Sequence, residues 1–211
     1  MSGQKFSWAK FSEVPVVGII RGLSFDDIKQ ILPFYVSSGL TTIEITMNTA
    51  SAKDIIRYAV DNFSGKLNVG AGTVCNEKDL EDALSSGAQF IVTPIISESV
   101  IKSCVEKEIP IFPGAFTPTE IYHAWELGAT IVKVYPATSL GSAYIKDVKA
   151  PLNNIKLMPT GGINKDNVAE FMSAGADGLG VGSQLFDKES INRKDWQSLE
   201  RHFKEFVKYF K

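Results

Sequence analysis

The chain has 211 residues, 44% of them hydrophobic and 22% charged, the balance of an ordinary globular protein rather than a disordered or fibrous one. Its 22 basic and 24 acidic side chains leave a formal net charge of −2, which excludes a global positive field for nucleic acid or an anionic membrane but leaves room for a local phosphate site. Two cysteines, Cys75 and Cys104, are too few for a disulfide framework in a chain long enough to build a core, so a reducing cytoplasm is the expected setting.

From the N-terminus, residues 1–13 mix Lys5, Lys10 and Glu13 with scattered aromatics and lack the apolar stretch of a targeting signal; they read as a lead-in segment. Apolar, β-branched runs then recur at Val14–Ile20, Thr42–Thr46, Leu67–Ala71, Phe90–Thr93, Ile109–Phe112, Thr130–Tyr135, Ile155–Met158 and Gly178–Gly182. Each is strand-sized, far short of the ~20 residues of a membrane span, and each is followed by a helical pattern. Helix starts are signalled by Ser24 before Asp27, Asn76 before Asp79, and Thr117 with Pro118 next and Glu120 third, which are capping-box spacings. Gly39, Gly87, Gly128 and Gly175 lie a few residues before strand-like runs, where a left-handed residue ends a helix. Pro33 falls inside the first helical pattern and is expected to kink it. About 192–211, with Trp196 and Phe210 at near-helical spacing, reads as one C-terminal helix packed on the sheet.

Strands apolar on both faces imply a parallel sheet covered by helices, and eight strand-helix units fit a compact (β/α)8 TIM barrel, a single domain over 1–211. A dinucleotide-binding open sheet loses its main support because Val17-Gly18-Ile19-Ile20-Arg21-Gly22 has the wrong glycine spacing. Barrel sites gather at the C-terminal strand ends. Two charges, Glu44 and Lys133, interrupt otherwise apolar strands, and period-2 alternation points both inward. That pair fits a buried structural ion pair. It equally fits a Schiff-base lysine, whose burial frees the amine to attack a ketone, beside a carboxylate that moves protons through carbon–carbon cleavage, the chemistry of a class I aldolase. Pro159-Thr160-Gly161-Gly162 and Gly180-Val181-Gly182-Ser183 follow the last two strands, either as two tight turns or as the loops in which barrels hold phosphate. Arg21, Asn48, Thr73 and Thr93-Pro94 close the same mouth, and Thr73 and Thr93 serve equally well as local backbone caps. His123 and His202 fall on helices without ligand-spaced companions, so neither a metal nor another cofactor is expected. Cys75 lacks a histidine base at a strand end.

These motifs resemble those of the 2-keto-3-deoxy-6-phosphogluconate and 4-hydroxy-2-oxoglutarate aldolases over nearly the whole chain. The resemblance rests on Glu44-Ile45-Thr46, Gly70-Ala71-Gly72-Thr73, Ile91-Val92-Thr93-Pro94, Phe112-Pro113-Gly114, Lys133-Val134-Tyr135-Pro136, Pro159-Thr160-Gly161-Gly162 and Gly180-Val181-Gly182-Ser183. It implies Lys133 as Schiff-base nucleophile, Glu44 as general acid and base, and Thr73 at the pyruvate carboxylate. It also implies Pro94, Tyr135 and Thr160 against substrate, and Gly161, Gly162, Gly182 and Ser183 at phosphate. A homotrimer is implied too, splitting a phosphorylated keto-sugar acid into pyruvate and glyceraldehyde 3-phosphate. One departure is Asn48-Thr49 where many such sequences carry Arg-Thr. An amide brings no charge, so Arg21 is the expected replacement cation. Asn48 resembles the 2-keto-3-deoxy-6-phosphogalactonate branch, whereas Thr160 resembles the phosphogluconate branch, which is the expected preference. The rivals are the epimeric substrate, 4-hydroxy-2-oxoglutarate, and a phosphosugar-binding barrel without aldolase chemistry.

Overall fold

The structure is a computed structural model that describes residues 5–211. Strands and helices alternate along the chain: α1 (Trp8–Glu13), β1 (Val16–Ile20), α2 (Phe25–Ser37), β2 (Thr42–Thr46), α3 (Ala52–Asn62), β3 (Asn68–Gly72), α4 (Glu77–Ser85), β4 (Ile91–Val92), α5 (Glu98–Glu106), β5 (Ile111–Phe112) and β6 (Gly114–Ala115). Then come α6 (Pro118–Glu126), β7 (Val132–Val134), α7 (Gly141–Lys149), β8 (Leu157–Pro159), α8 (Val168–Ser173), β9 (Leu179–Val181), α9 (Lys188–Asn192) and α10 (Trp196–Val207). Every strand pairing is parallel, in a six-stranded sheet of order β5-β4-β3-β2-β1-β9 and a three-stranded sheet of order β6-β7-β8. The larger sheet makes a half-barrel. The two meet at an isolated parallel bridge between Thr160 and Gly180.

The anticipated fifth strand, Ile109–Phe112, forms as β5 over Ile111–Phe112; beyond it Pro113, which has no N–H for the ladder, leads into the unanticipated β6, and its carbonyl accepts from the Lys133 amide at 2.9 Å. Helix α2 continues through Pro33 to Ser37. The single C-terminal helix expected over about 192–211 is also corrected. Lys194 takes a left-handed conformation (φ 55°) and separates α9 from α10, whose start is capped by Asp195 accepting the Ser198 amide at 2.9 Å, and a 3-10 turn covers Lys208–Phe210.

Local chemistry explains the remaining boundaries. Ser24 and Asn76 accept the amides of Asp27 (3.1 Å) and Asp79 (2.9 Å), and Thr117 with Glu120 completes a capping box with Pro118 at the first turn. The main buried cluster runs from Val14 to Val207 between strands and helices. A second, formed by Phe6, Phe11, Val17, Phe90, Val92, Phe112, Ile131 and Met158, fills the space where strands begin. Of the lead-in segment, residues 1–4 lie outside the described residues and the remainder packs as a plug: Asn68, first in β3, accepts the Ser7 amide (2.8 Å) and donates to the Ser7 carbonyl (2.9 Å).

Candidate active site

Glu44 sits in the middle of β2, in register with Ile19 of β1 and Gly70 of β3. Lys133 is central in β7, opposite Gly114 and Met158. The hydrophobic residues on either side of each commit these strands to the core, so the charges are carried inside with them. Glu44 is 1% exposed and Lys133 4%. Burial pushes the Glu44 carboxyl up, an effect that the Lys133 and Arg21 charges partly offset. Burial likewise pushes the Lys133 ammonium down, Arg21 adding to the effect while Glu44 and Cys75 oppose it. Burial thus disfavours the charged form of each group, while the charge of each favours the charged form of the other. Glu44 Oε2 is buried with no hydrogen-bond partner, and Lys133 Nζ stands 5.0 Å above the Tyr135 ring.

Two glycines make room. A Cβ on Gly72 would collide with Glu44 Oε1, and one on Gly180 with Thr160 Oγ1; side chains at either position would displace the polar group beside it.

Over Lys133 lies a cavity of about 300 Å3 at the C-terminal ends of β1, β7, β8 and β9. Its walls include Arg21, Lys133, Tyr135, Thr160, Gly161, Gly162, Gly182 and Ser183. The structure thus gathers eight of the residues singled out from the sequence. Gly161 and Gly162 turn the chain with φ of 103° and 73°, values that L side chains rarely adopt. Four residues are placed elsewhere. Glu44 is buried in the sheet and is linked to the cavity by its charge coupling to Lys133. Thr73 follows Gly72 in a left-handed conformation (φ 58°). Pro94 is half-buried with its carbonyl against Gly114. Asn48 is exposed in the turn after β2. Thr93 caps locally, its hydroxyl donating to the Ile95 carbonyl.

Three contributors were not anticipated. Thr49 is buried; its hydroxyl pairs with that of Thr46 (2.9 Å) and accepts the Gly22 amide (3.1 Å), which ties the Arg21 loop to the Asn48 turn. Its place in Asn48-Thr49 was the available signal. Gln184 and Lys188 also line the cavity. They lie in a loop and at a helix start, where periodicity assigns no direction. His202 anchors this stretch through a 2.8 Å bond to the Gln184 carbonyl, and His123 faces Glu98 at 3.4 Å. Among the described residues no cluster of three or more His, Cys, Asp or Glu is arranged to hold a metal, and no helix is long and apolar enough to cross a membrane.

The chain is thus a parallel α/β protein with a buried amine and a buried carboxyl near a cavity at the strand ends. The family model described as KDPG and KHG aldolase matches residues 8–202, and the chain belongs to that family. It is 32% identical to the 2-dehydro-3-deoxy-6-phosphogalactonate aldolase of Escherichia coli, covering 89% of this chain and 92% of that one. It is equally 32% identical to the 2-dehydro-3-deoxy-phosphogluconate aldolase of Haemophilus influenzae, covering 96% and 95%. Among solved structures, the KDPG aldolase of Legionella pneumophila with pyruvate captured as a covalent carbinolamine superposes with a TM-score of 0.85 at 25% identity, over 93% of this chain and 95% of that one. Family membership supports lyase activity, and relatives named for both C4 epimers match to the same degree.

Proposed function

We propose that this chain is a class I aldolase that cleaves 2-keto-3-deoxy-6-phosphogluconate to pyruvate and glyceraldehyde 3-phosphate through an imine on Lys133. The observation that carries the reading is the buried Lys133 and Glu44 pair, each driven toward its neutral form by burial, beneath the cavity. The free amine adds to the C2 ketone, and the protonated Glu44 gives its proton to the carbinolamine hydroxyl, which leaves as water. The resulting iminium draws the electrons of the C3–C4 bond into an enamine while the Glu44 carboxylate takes the C4 hydroxyl proton, releasing the aldehyde. Returning that proton to C3 and hydrolysing the imine frees pyruvate and restores Lys133.

The remaining assignments follow strand order. Arg21 serves the substrate carboxylate in place of a cation at Asn48, with Thr73 beside it, and Pro94, Tyr135 and Thr160 shape the wall. Gly161, Gly162, Gly182 and Ser183 take the phosphate through backbone amides and a hydroxyl. In this reading the two sheets act as one closed (β/α)8 barrel and a single domain, the Thr160–Gly180 bridge and the unbroken chain through Pro113 supporting closure. The working form is a cytoplasmic homotrimer; the two free cysteines suit a reducing compartment, and exposed Ile95, Phe116 and Tyr122 supply apolar surface for subunit contact.

Intact mass after incubation with pyruvate and sodium borohydride, followed by peptide mapping, tests the mechanism. An adduct on Lys133 is expected, and its absence from folded protein overturns the reading. The second reading, an enzyme for the phosphogalactonate epimer, is favoured by Asn48. Comparing kcat/KM for the two epimers decides between them. Thr160→Val is expected to erode the preference, and equal losses on both epimers would remove Thr160 as the discriminating hydroxyl.

A further inference from the structure

We infer that Lys188 supplies the positive charge for the phosphoryl group of the substrate, in the cavity that also holds Gly161, Gly162 and Ser183. The inference deepens the aldolase reading and rests on it. The cavity wall carries three cationic residues, Arg21, Lys133 and Lys188, and no carboxylate. Lys133 is the buried amine in β7. Arg21 directly follows β1, whose Ile19 is in register with Glu44, and its charge acts on both Lys133 and Glu44, so it falls to the reacting end and the carboxylate that adjoins the ketone. The substrate's other anion is a phosphate ester close to a dianion at neutral pH. Backbone amides and the Ser183 hydroxyl offer it hydrogen bonds but no full charge, and Lys188 is the cation that remains.

The surroundings leave Lys188 free for this use. Asp187 beside it is engaged in capping α9, its carboxylate accepting the Ser190 amide at 2.8 Å. The ion pair on α9 joins Arg193 and Glu189 at 2.7 Å. Among the described residues Lys188 has no ion-pair or side-chain hydrogen-bond partner, and it is exposed. A long stem carrying a compact ammonium suits an anion that enters from solvent, because the charge follows the ligand without a fixed geometry.

The test titrates glycerol 3-phosphate into wild-type protein, Lys188→Met and Lys188→Arg by calorimetry at low and high salt, alongside pyruvate–borohydride trapping. A charge-assisted contact of this kind predicts a Kd about 5- to 20-fold weaker in Lys188→Met, with the salt dependence reduced and affinity restored in Lys188→Arg. Trapping on Lys133 is expected at wild-type level in both variants. Equal affinity and salt dependence in wild type and Lys188→Met, or no binding by wild type, overturns the inference. Weakened binding in Lys188→Met together with no adduct in wild type upholds the anion contact and removes the aldolase reading instead.

Discussion

A lysine and a glutamate buried in neighbouring parts of one core are either a structural ion pair or a reactive pair, and the two make opposite predictions on truncation. Breaking a structural pair leaves an uncompensated charge and costs about 3–5 kcal/mol. Here burial already disfavours both charged forms, and Glu44 Oε2 accepts no hydrogen bond. Lys133 has a lowered value in the folded state, so the unfolded chain binds the extra proton and stability rises as pH climbs toward the ordinary lysine range. Lys133→Met removes that burden. Its melting temperature at neutral pH is expected to match or exceed wild type while turnover and the borohydride adduct vanish; a fall of several kcal/mol in unfolding free energy would restore the ion-pair interpretation. Glu44 raises the Lys133 value, so Glu44→Gln should move the rising limb of adduct formation to lower pH, since the free amine is the attacking species. The same substitution should lower kcat by about 10²–10⁴-fold through loss of the proton-transfer group. A limb that stays in place, followed by adduct yield against pH, would mean the two groups do not communicate.

At the scale of strands and helices, the glycines of β3 and β9 act by leaving space rather than by turning the chain. Gly72→Ala puts a methyl where Glu44 Oε1 lies, and inserting carbon into a filled core costs about 1–3 kcal/mol. A carboxyl displaced by even ~1 Å loses on the order of 100-fold in rate. Gly72→Ala is therefore expected to fold, with a kcat lowered about 10- to 100-fold, and full kcat with unchanged unfolding free energy would show that Glu44 has other room. This dependence was invisible in Gly70-Ala71-Gly72-Thr73 as a string, because the collision is with a neighbouring strand. Much else at this scale was readable. Lys133 and Glu44 stood out as charges within apolar β-branched runs, and Gly39 and Gly175 both turn with a φ of 98° after the helices they were expected to end. The misses share one cause: side chains outside regular elements have no period to orient them. Thr49, Gln184 and Lys188 went unmarked for that reason. The short β6 after Pro113 went unmarked as well, because Gly114–Ala115 is too short a segment to show a period.

Across the whole molecule the strand directions separate two tasks. The C-terminal ends of β1, β7, β8 and β9 open on the cavity, whereas the N-terminal ends are sealed by Phe6 and Phe11, whose rings meet those of Phe90 and Phe112. On the aldolase reading proposed above, this division leaves packing near the strand starts to carry stability and polar groups near the strand ends to carry chemistry. Phe11 is 3% exposed and belongs to α1, which is only six residues long, too short to persist without its tertiary contacts. Phe11→Ala empties part of the plug and is expected to cost about 3–5 kcal/mol, read from the midpoint of a urea transition at constant slope. Because the lost contacts lie at the opposite end of the strands from Lys133, kcat of the protein that remains folded should stay within about twofold of wild type, the size of effect that distant, independent sites leave on one another. Lys133→Met gives the reverse pattern, retained stability without turnover. If Phe11→Ala instead lowers kcat in proportion to its loss of stability, the plug and the cavity form one cooperative unit and the division of labour between the two ends fails.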